Sequence, residues 1–355
     1  MFASAARFVA FAPRAILAVA VAFCASSALA APGHRAVGSG LGGNSPYATD
    51  AYPGFDGLDD LPKPERRTKS WFLHVSRSTP AGQYEFVKEL EEAGDYKAAA
   101  KQCDALVREW PASPEAPMAQ LRFAKLLARQ MKEYEDAIEA LDYLFDFYSK
   151  DCPYLELVEY QYQLVNLMVK ERKTFLGFSF LSNRMVRQHY ESIVRRAPSA
   201  SYVPEAMLKI AALREDDQQY EEAVKVYATL ASRYPKTAEA EEAVYRESKA
   251  RMWLCRRLAY NLPRCKDTVG FLKMSLSRKP DMPQADEMKG WLTELTDYMA
   301  DDAYKRAKFY DTKRRTKHAA RTAWERFLAE YPESSHADEA RARIEALQEP
   351  VAEAK

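Results

Sequence analysis

The sequence predicts an all-α fold in which pairs of helices are stacked in tandem, an α-solenoid. The chain has 355 residues, of which 47% are hydrophobic and 29% charged, so it can bury a sizeable core and still present a solvated surface. Its 12 glycines leave little turn chemistry for a fold of many strands. An apolar stripe also recurs along the chain at fixed offsets, which is the signature of a repeat architecture.

The stripe occupies one face of a helix. Ala99, Cys103, Leu106, Val107 and Trp110 stand at offsets that share a helical face. The four further copies are Ala137, Leu141, Leu144, Phe145 and Tyr148; Val186, Tyr190, Ile193, Val194 and Ala197; Ala223, Tyr227, Leu230, Ala231 and Tyr234; and Ala320, Trp324, Phe327, Leu328 and Tyr331. We interpret these residues as core, because stacking of repeated helices requires the same buried face in every copy.

Each copy has a recognisable start and stop. The stops are Trp110-Pro111, Ala197-Pro198, Tyr234-Pro235 and Tyr331-Pro332. Proline disfavours the helical state of the residue before it, so these pairs end helices. Turn sequences precede three copies: Gly94-Asp95-Tyr96, Lys132-Glu133-Tyr134 and Gln218-Gln219-Tyr220. The unit is therefore helix, turn, helix, stop.

The spacing of the copies indicates the repeat type. The shortest spacings, 37 and 38 residues, are close to the roughly 34-residue tetratricopeptide period. We predict a tetratricopeptide-type α-solenoid of five to six repeats over residues 70–348, followed by a short tail at 349–355. The long gap between Tyr234 and Tyr331 has room for one degenerate pair, and we expect an irregular segment at about 246–300.

The N-terminal sequence predicts an export signal. Residues 1–30 carry Arg7 and Arg14, a short apolar run and a small-residue cleavage site after Ala30, which is the pattern of a secretory signal peptide. Cys24 offers a second route, because acylation of a cysteine after the apolar run would make the chain a lipoprotein. Residues 31–69 are rich in Gly, Pro and Ser, so we expect a flexible tether.

Composition and motifs argue against several classes of function. The chain has 52 Lys and Arg against 51 Asp and Glu, without the basic excess typical of nucleic-acid binding. It contains no H-E-x-x-H, C-x-x-C, G-x-S-x-G or P-loop motif, so we expect no metal, no cofactor and no enzymatic activity. The alternative to a non-enzymatic protein is an enzyme with an unrecognised site in residues 246–300.

Three features stand out as candidate sites, each with two interpretations. The insert with Phe175, Phe178 and Phe180 is either packed on the solenoid or an exposed apolar patch for a partner. Cys255 and Cys265 flank a predicted turn, where a disulfide could form in an oxidising compartment. The third feature is a basic stretch that is either a solvated helix face or a docking surface for an acidic partner, made of Lys305, Arg306, Lys308, Lys313, Arg314, Arg315, Lys317 and Arg321.

Several of these motifs together resemble a known family. The carriers are Thr79-Pro80 with Tyr84, Gly94-Asp95-Tyr96, Trp110-Pro111-Ala112-Ser113, Phe175-Leu176-Gly177-Phe178 with Arg184, the run from Ala303 to Tyr310, and Tyr331-Pro332-Glu333-Ser334. This pattern, which covers most of residues 79–347, is similar to the BamD family of tetratricopeptide-repeat lipoproteins, which assemble outer-membrane β-barrel proteins.

The resemblance implies a non-enzymatic scaffold on the periplasmic face of the outer membrane, lipid-anchored through Cys24 or soluble in the periplasm. It implies that the C-terminal repeats dock the POTRA domains of a barrel-assembly protein and that the N-terminal repeats bind segments of unfolded outer-membrane proteins. The residues that it assigns to partner docking are Tyr304, Phe309, Tyr310, Arg314 and Arg321. The alternative is another periplasmic tetratricopeptide adaptor, for cell division or polysaccharide export.

Overall fold

Six consecutive helix pairs and a final helix make up the described part of the chain in this computed structural model. The structure describes residues 52–57, 64–171, 174–175, 178–179, 181–257, 260–314 and 316–347. The pairs are α1 (Pro80–Glu92) with α2 (Tyr96–Glu109), α3 (Glu115–Leu126) with α4 (Tyr134–Tyr148), α5 (Tyr154–Lys170) with α6 (Asn183–Arg196), α7 (Val203–Asp216) with α8 (Tyr220–Arg233), α9 (Ala238–Arg257) with α10 (Leu262–Arg278), and α11 (Ala285–Phe309) with α12 (Lys317–Glu330); α13 (Ala337–Leu347) closes the row. The predicted all-α solenoid is confirmed.

Short irregular pieces join these helices. π-Helical turns, Leu127–Met131 and Tyr310–Arg314, follow α3 and α11. Between α5 and α6, the strands β1 (Thr174–Phe175) and β2 (Phe178–Ser179) form a small antiparallel pair with Phe175 opposite Phe178. Among the described residues, no helix has the length and apolar character needed to cross a membrane.

The predicted stripes supply a large part of the core, and residues of the first helices such as Val158 and Ile210 complete it. Each second helix of a pair turns its stripe toward its neighbours, and residues such as Leu106, Leu141, Tyr190, Tyr227 and Trp324 are almost completely buried. Each helix packs against the next along the chain, so the solenoid is held mainly by contacts between sequence neighbours.

The turns within the pairs share one backbone geometry. Gly94, Lys132, Gln218 and Tyr260 each stand two residues before a second helix and have φ of 77°, 55°, 60° and 55°. The residues before the stop prolines leave the helical region differently, with negative φ, as in Trp110 at −128° and Tyr234 at −124°. A left-handed residue therefore reverses the chain inside each of these four pairs, even where the residue is not glycine.

The expectation of an irregular segment at 246–300 was wrong for the residues that the structure describes there. They form the end of α9, the whole of α10 and the first part of α11. The stripe of α10 is hard to recognise because Thr268 and Ser275 occupy buried stripe positions. The Thr268 hydroxyl donates to the carbonyl of Arg264 at 2.8 Å, which satisfies a polar group inside the core.

Hydrogen bonds between repeats reinforce the stacking. The hydroxyl of Tyr148 donates to the carbonyl of Pro111 at 2.8 Å, and that of Tyr234 donates to the carbonyl of Pro198 at 2.7 Å. In both cases the tyrosine that ends one pair is bonded to the stop of the pair before it. The tyrosine at the end of these pairs thus has a tertiary role besides its place at the helix terminus.

The expected flexible tether differs from the structure in its described portions. Residues 52–57 and 64–70, here called the N-terminal strap, lie against the second helices of the first four pairs. Arg67 forms an ion pair with Asp104 at 2.9 Å, and the Arg66 guanidinium lies 4.8 Å from the centre of the Phe147 ring. Residues 52–57 contact α6 and α8, whereas 64–70 contact α2 and α4, so the strap runs against the direction of the solenoid.

Candidate protein-binding sites

The last helix pair exposes two adjacent aromatic side chains. Phe309 ends α11 and is 50% exposed, and Tyr310 begins the following π-helical turn and is 42% exposed. Their rings meet edge to face, with centroids 5.9 Å apart. Exposed aromatic pairs of this kind supply large contact areas to partners, so the structure brings together two of the residues expected to dock one.

Tyr304, a third expected docking residue, is engaged within the fold. Its hydroxyl donates to Glu339 Oε2 at 2.8 Å, and its ring stacks on His336 with centroids 3.9 Å apart. Lys308 donates to the same hydroxyl at 3.0 Å, a bond that raises the pKa of Lys308. Tyr304 therefore joins α11 to the start of α13 and to the segment before it. These contacts stabilise the helix that carries the exposed aromatic pair.

Sequence reasoning missed the residue that fixes the turn beside the aromatic pair. Asp311 accepts two bonds from Arg343, at 2.8 and 2.9 Å, and one from the indole N–H of Trp324 at 3.2 Å. The bond from Arg343 is the main cause of the lowered pKa of Asp311, which keeps the carboxylate ionised. The only local sign of this arrangement in the sequence was Trp324, at the second position of its stripe. Its position does not show that its indole N–H is bonded to Asp311.

A groove of about 480 Å³ lies beside the aromatic pair, between α11 and α12. Tyr310 forms part of its wall, and Arg306 and Arg326 place two cations on its rim. Arg321 lies outside this groove and pairs with Glu325 at 2.7 Å. The backbone of Arg314 ends the π-helical turn, and its side chain lies outside the described part of the structure.

The structure leaves two other expected sites without a test. In the apolar insert it describes the backbone pairing of Phe175 and Phe178, whereas their side chains and the whole of Phe180 lie outside the described residues. Cys24 and the signal segment lie outside them too. These assignments stay predictions.

Cys255 and Cys265 are free buried thiols, so the expected disulfide is not formed in the structure. The turn that it would clamp is already closed, because the N–H of Tyr260 donates to the carbonyl of Cys255 at 2.8 Å and the Asn261 side chain caps α10. Burial and the neighbouring Cys255 raise the pKa of Cys265 to about 12. The Cys255 sulfur lies 3.3 Å from Thr268 Oγ1, and both cysteines act as small core residues.

The N-terminal strap places a carboxylate into a cluster of buried arginines. Asp56 contacts Arg214 at 2.7 Å and Arg187 at 3.3 Å, and its backbone N–H donates to Glu191 at 2.9 Å. The backbone carbonyl of Asp56 accepts a bond from Arg195. Three arginines thus face two carboxylates between α6, α7 and the strap, and Asp217, 3.1 Å from Arg187, supplies a third, since buried charges need partners.

The two carboxylates of this cluster have opposite pKa shifts. Burial raises the pKa of Asp56, but the guanidinium groups of Arg214 and Arg187 outweigh it, and the net pKa is lowered. Glu191 is more deeply buried, and burial together with the charge of Asp56 raises its pKa to about 7. Asp56 is therefore the main counterion of the arginines.

The described residues show no group of three or more His, Cys, Asp or Glu side chains arranged to hold a metal ion. Known proteins resemble the chain in its repeats. The tetratricopeptide repeat family model matches residues 205–237, which cover most of α7 and all of α8. No curated protein sequence matches the chain.

Two solved structures are similar to the chain along most of its length. One is a tetratricopeptide repeat protein from Parabacteroides merdae, at 11% identity and a TM-score of 0.28, covering 76% of this chain and 98% of that one. The other is the C-terminal part of a TPR repeat-containing protein from Cytophaga hutchinsonii, at 15% identity and a TM-score of 0.27, covering 72% and 98%.

The helix pairs and the match of the family model to α7 and α8 define the class of this chain. It is a tetratricopeptide-type α-solenoid, an architecture that serves as a scaffold for binding other proteins.

Proposed function

We propose that this chain is a non-enzymatic periplasmic scaffold of outer-membrane β-barrel protein assembly, and that its last helix pair docks a POTRA-containing partner. The observation that carries the proposal is the exposed pair of Phe309 and Tyr310 beside the groove between α11 and α12. Aromatic anchors next to a desolvated groove are the usual centres of protein interfaces.

Exposed cations near the groove favour an acidic partner surface. Arg306 and Arg326 line the groove but are paired with Asp302 and Glu330, whereas Lys305 and Lys308 are exposed on the same helix as Arg306. Exposed cations of this kind accelerate association and fix its register more than they add affinity. The rigid support from Tyr304 and Asp311 limits the entropy lost when the site binds.

A second groove supports the binding of unfolded outer-membrane protein segments by the N-terminal repeats. It lies between α1 and α3, has a volume of about 370 Å³ and is lined by Tyr84, Met118 and Arg122. Met118 is 46% exposed, and methionine adapts to varied apolar side chains. The groove is also lined by Glu91, Lys125 and Arg129, and a wall that mixes a flexible methionine with charged side chains suits a scaffold that takes many different segments.

Site-specific photo-crosslinking in the native envelope tests the docking site. A photoreactive residue at position 309 should crosslink to a POTRA-containing protein, whereas the same residue at Lys273, an exposed position of α10, should not. Crosslinks from position 309 to a cell-division or polysaccharide-export protein would instead establish the alternative adaptor.

A matched pair of variants gives an independent measurement. Replacing both exposed aromatics, F309A with Y310A, should reduce recovery of the partner at least roughly tenfold, since each hot-spot aromatic contributes about 2 kcal/mol. F72A removes a phenyl ring that is 90% exposed before α1 and should leave recovery unchanged. Equal recovery with all variants would contradict the proposal. Mass spectrometry of the purified N-terminus decides between acylated Cys24 and cleavage after Ala30.

A further inference from the structure

The strap shows which peptide chemistry a groove between second helices accepts. Tyr52 is 2% exposed between α6 and α8, and the Arg233 guanidinium covers its ring at 4.3 Å. Arg195 covers the ring of Phe55 at 5.4 Å, and Arg214 binds the carboxylate of Asp56. The groove therefore holds a tight turn, closed by the N–H of Phe55 donating to the carbonyl of Tyr52 at 3.1 Å, with an aromatic residue and, four positions later, an acidic one.

Gly54 shows how closely the strap approaches α8. It has φ of +88°, and a Cβ atom at this position would lie 2.6 Å from the carbonyl oxygen of Glu222 and 2.8 Å from Val226 Cγ2. The segment is seated against the backbone of the helix. Its binding thus depends on the shape of the groove as well as on the arginines.

The next groove of the solenoid, between α8 and α10, repeats the same arrangement without a strap segment among the described residues. Counted back from the stop prolines Pro235 and Pro280, Arg233 of α8 corresponds to Arg278 of α10. Counted forward from Pro198 and Pro235, Arg214 of α7 corresponds to Arg251 of α9. Arg251 and Arg278 both line the groove between α8 and α10.

The walls of the groove between α8 and α10 are wider apart and more apolar than those of the groove that holds the strap. By the same count, Glu191 and Arg195 of α6 correspond to Ala228 and Ser232 of α8, which leaves a cavity of about 400 Å³. Across the groove, Val226 and Thr229 of α8 correspond to Phe271 and Met274 of α10. Smaller residues on one wall and larger apolar ones on the other fit an inserted aromatic side chain.

Arg251 is positioned to receive a carboxylate. Its guanidinium lies 4.7 Å from the centre of the Phe271 ring and donates through Nε and Nη2 to the buried Glu247, at 2.8 and 2.6 Å. These contacts hold the guanidinium in place and leave the Nη1 donors for an incoming acid. Arg278 adds positive charge to the lining, whereas Lys279 is paired with Glu241 of the same groove.

We propose that the groove between α8 and α10 binds a turn-forming segment of a partner protein that carries a large aromatic residue followed, about four positions later, by a carboxylate. The proposal rests on the scaffold function and names the chemistry of one segment that the scaffold takes. The site is distinct from the aromatic pair of α11, so the two can fail independently.

Fluorescence anisotropy with a labelled peptide tests this. The probe has the strap's own sequence, Ala-Tyr-Pro-Gly-Phe-Asp-Gly, and is added to the full chain. We expect saturable binding that R278E weakens at least roughly tenfold, because the reversed charge faces the ligand. K273E makes the same charge change on an exposed face of α10 outside the groove, and it should change the dissociation constant by less than about twofold.

Three results would overturn the proposal. They are no saturable binding, equal weakening by R278E and K273E, or binding that appears only after residues 1–51 are removed. The last would show that the chain itself, and no partner, occupies the groove. A probe with Asp replaced by Asn should bind less tightly, and F309A with Y310A should bind the probe as the unmodified chain does.

Discussion

The carboxylate of Asp56 lies 2.7 Å from Nη2 of Arg214, which is 158 positions further along the chain. Most other stabilising contacts of the solenoid join neighbouring helices. This ion pair fastens the strap to the fourth pair and neutralises arginines that are shielded from water. The strap is thus part of the folded solenoid rather than an appendage to it.

Removing the charge of Asp56 should therefore destabilise the whole solenoid. We expect D56N to lower the free energy of unfolding by about 3 kcal/mol, because Arg187 and Arg214 lose their main counterion in a buried site. Urea denaturation followed by circular dichroism measures this. D267N makes the same replacement at an exposed position of α10 and should change stability by less than about 0.5 kcal/mol. Equal effects would show that the strap is not docked.

The raised pKa of Glu191 predicts a specific pH dependence. Because the folded state holds this proton up to about pH 7, whereas an unfolded glutamate releases it near its ordinary pKa of 4.5, stability falls as the pH rises through this window. E191Q removes the titrating group, so the stability of the variant relative to the original chain should increase between pH 5 and pH 7.5, by up to roughly 3 kcal/mol. A difference that stays constant with pH would show that Glu191 is ionised throughout.

The bond from Tyr234 to the carbonyl of Pro198 should contribute measurably to stacking. Y234F removes only the hydroxyl and leaves a partly buried carbonyl without its partner, so we expect a loss of about 1 kcal/mol. Y220F retains the ring that stacks on Trp253 and should cost less than about 0.5 kcal/mol. Urea midpoints of the two variants provide the comparison, and a larger loss in Y220F would refute the role of the Pro198 bond.

The cysteines should differ sharply in reactivity. Cys152 is partly exposed, whereas Cys103, Cys255 and Cys265 are buried. Burial is the main cause of the raised pKa of Cys103, and it also raises that of Cys152. In a chain that begins at Ala31, an aromatic disulfide reagent should modify one thiol at least roughly tenfold faster than the others, and C152S should abolish this fast phase. Rapid modification of two or more thiols would contradict the burial.

The sequence was sufficient for features with local causes. The stripe that includes Leu106 and the stop at Tyr234-Pro235 depend on residues within one helix, and both are present in the structure. The fifth pair was harder to recognise because Thr268 and Ser275 are polar residues at buried stripe positions. Periodicity alone cannot show that the Thr268 hydroxyl is satisfied by the helix backbone.

The candidate sites were only partly predictable. Exposed aromatics at Phe309 and Tyr310 follow from the sequence of the last pair, but the partners of Tyr304 and Asp311 come from α12, α13 and the segment between them. The docking of residues 52–57 was missed because the contacts of Asp56 with α6 and α7 span more than 130 residues. The only local signal was the sequence Tyr52-Pro53-Gly54-Phe55-Asp56, which places two aromatic residues in an otherwise polar stretch.

The direction of the strap has a consequence for the order of folding. Residues 52–57 are synthesised long before α6 and α8, against which they pack. The helix pairs can form one after another from local contacts, which form fast, whereas strap docking has to await completion of the fourth pair. During synthesis Tyr52 and Phe55 are therefore exposed to solvent. Until the strap docks, this aromatic segment is prone to aggregation, and a chaperone would have to shield it.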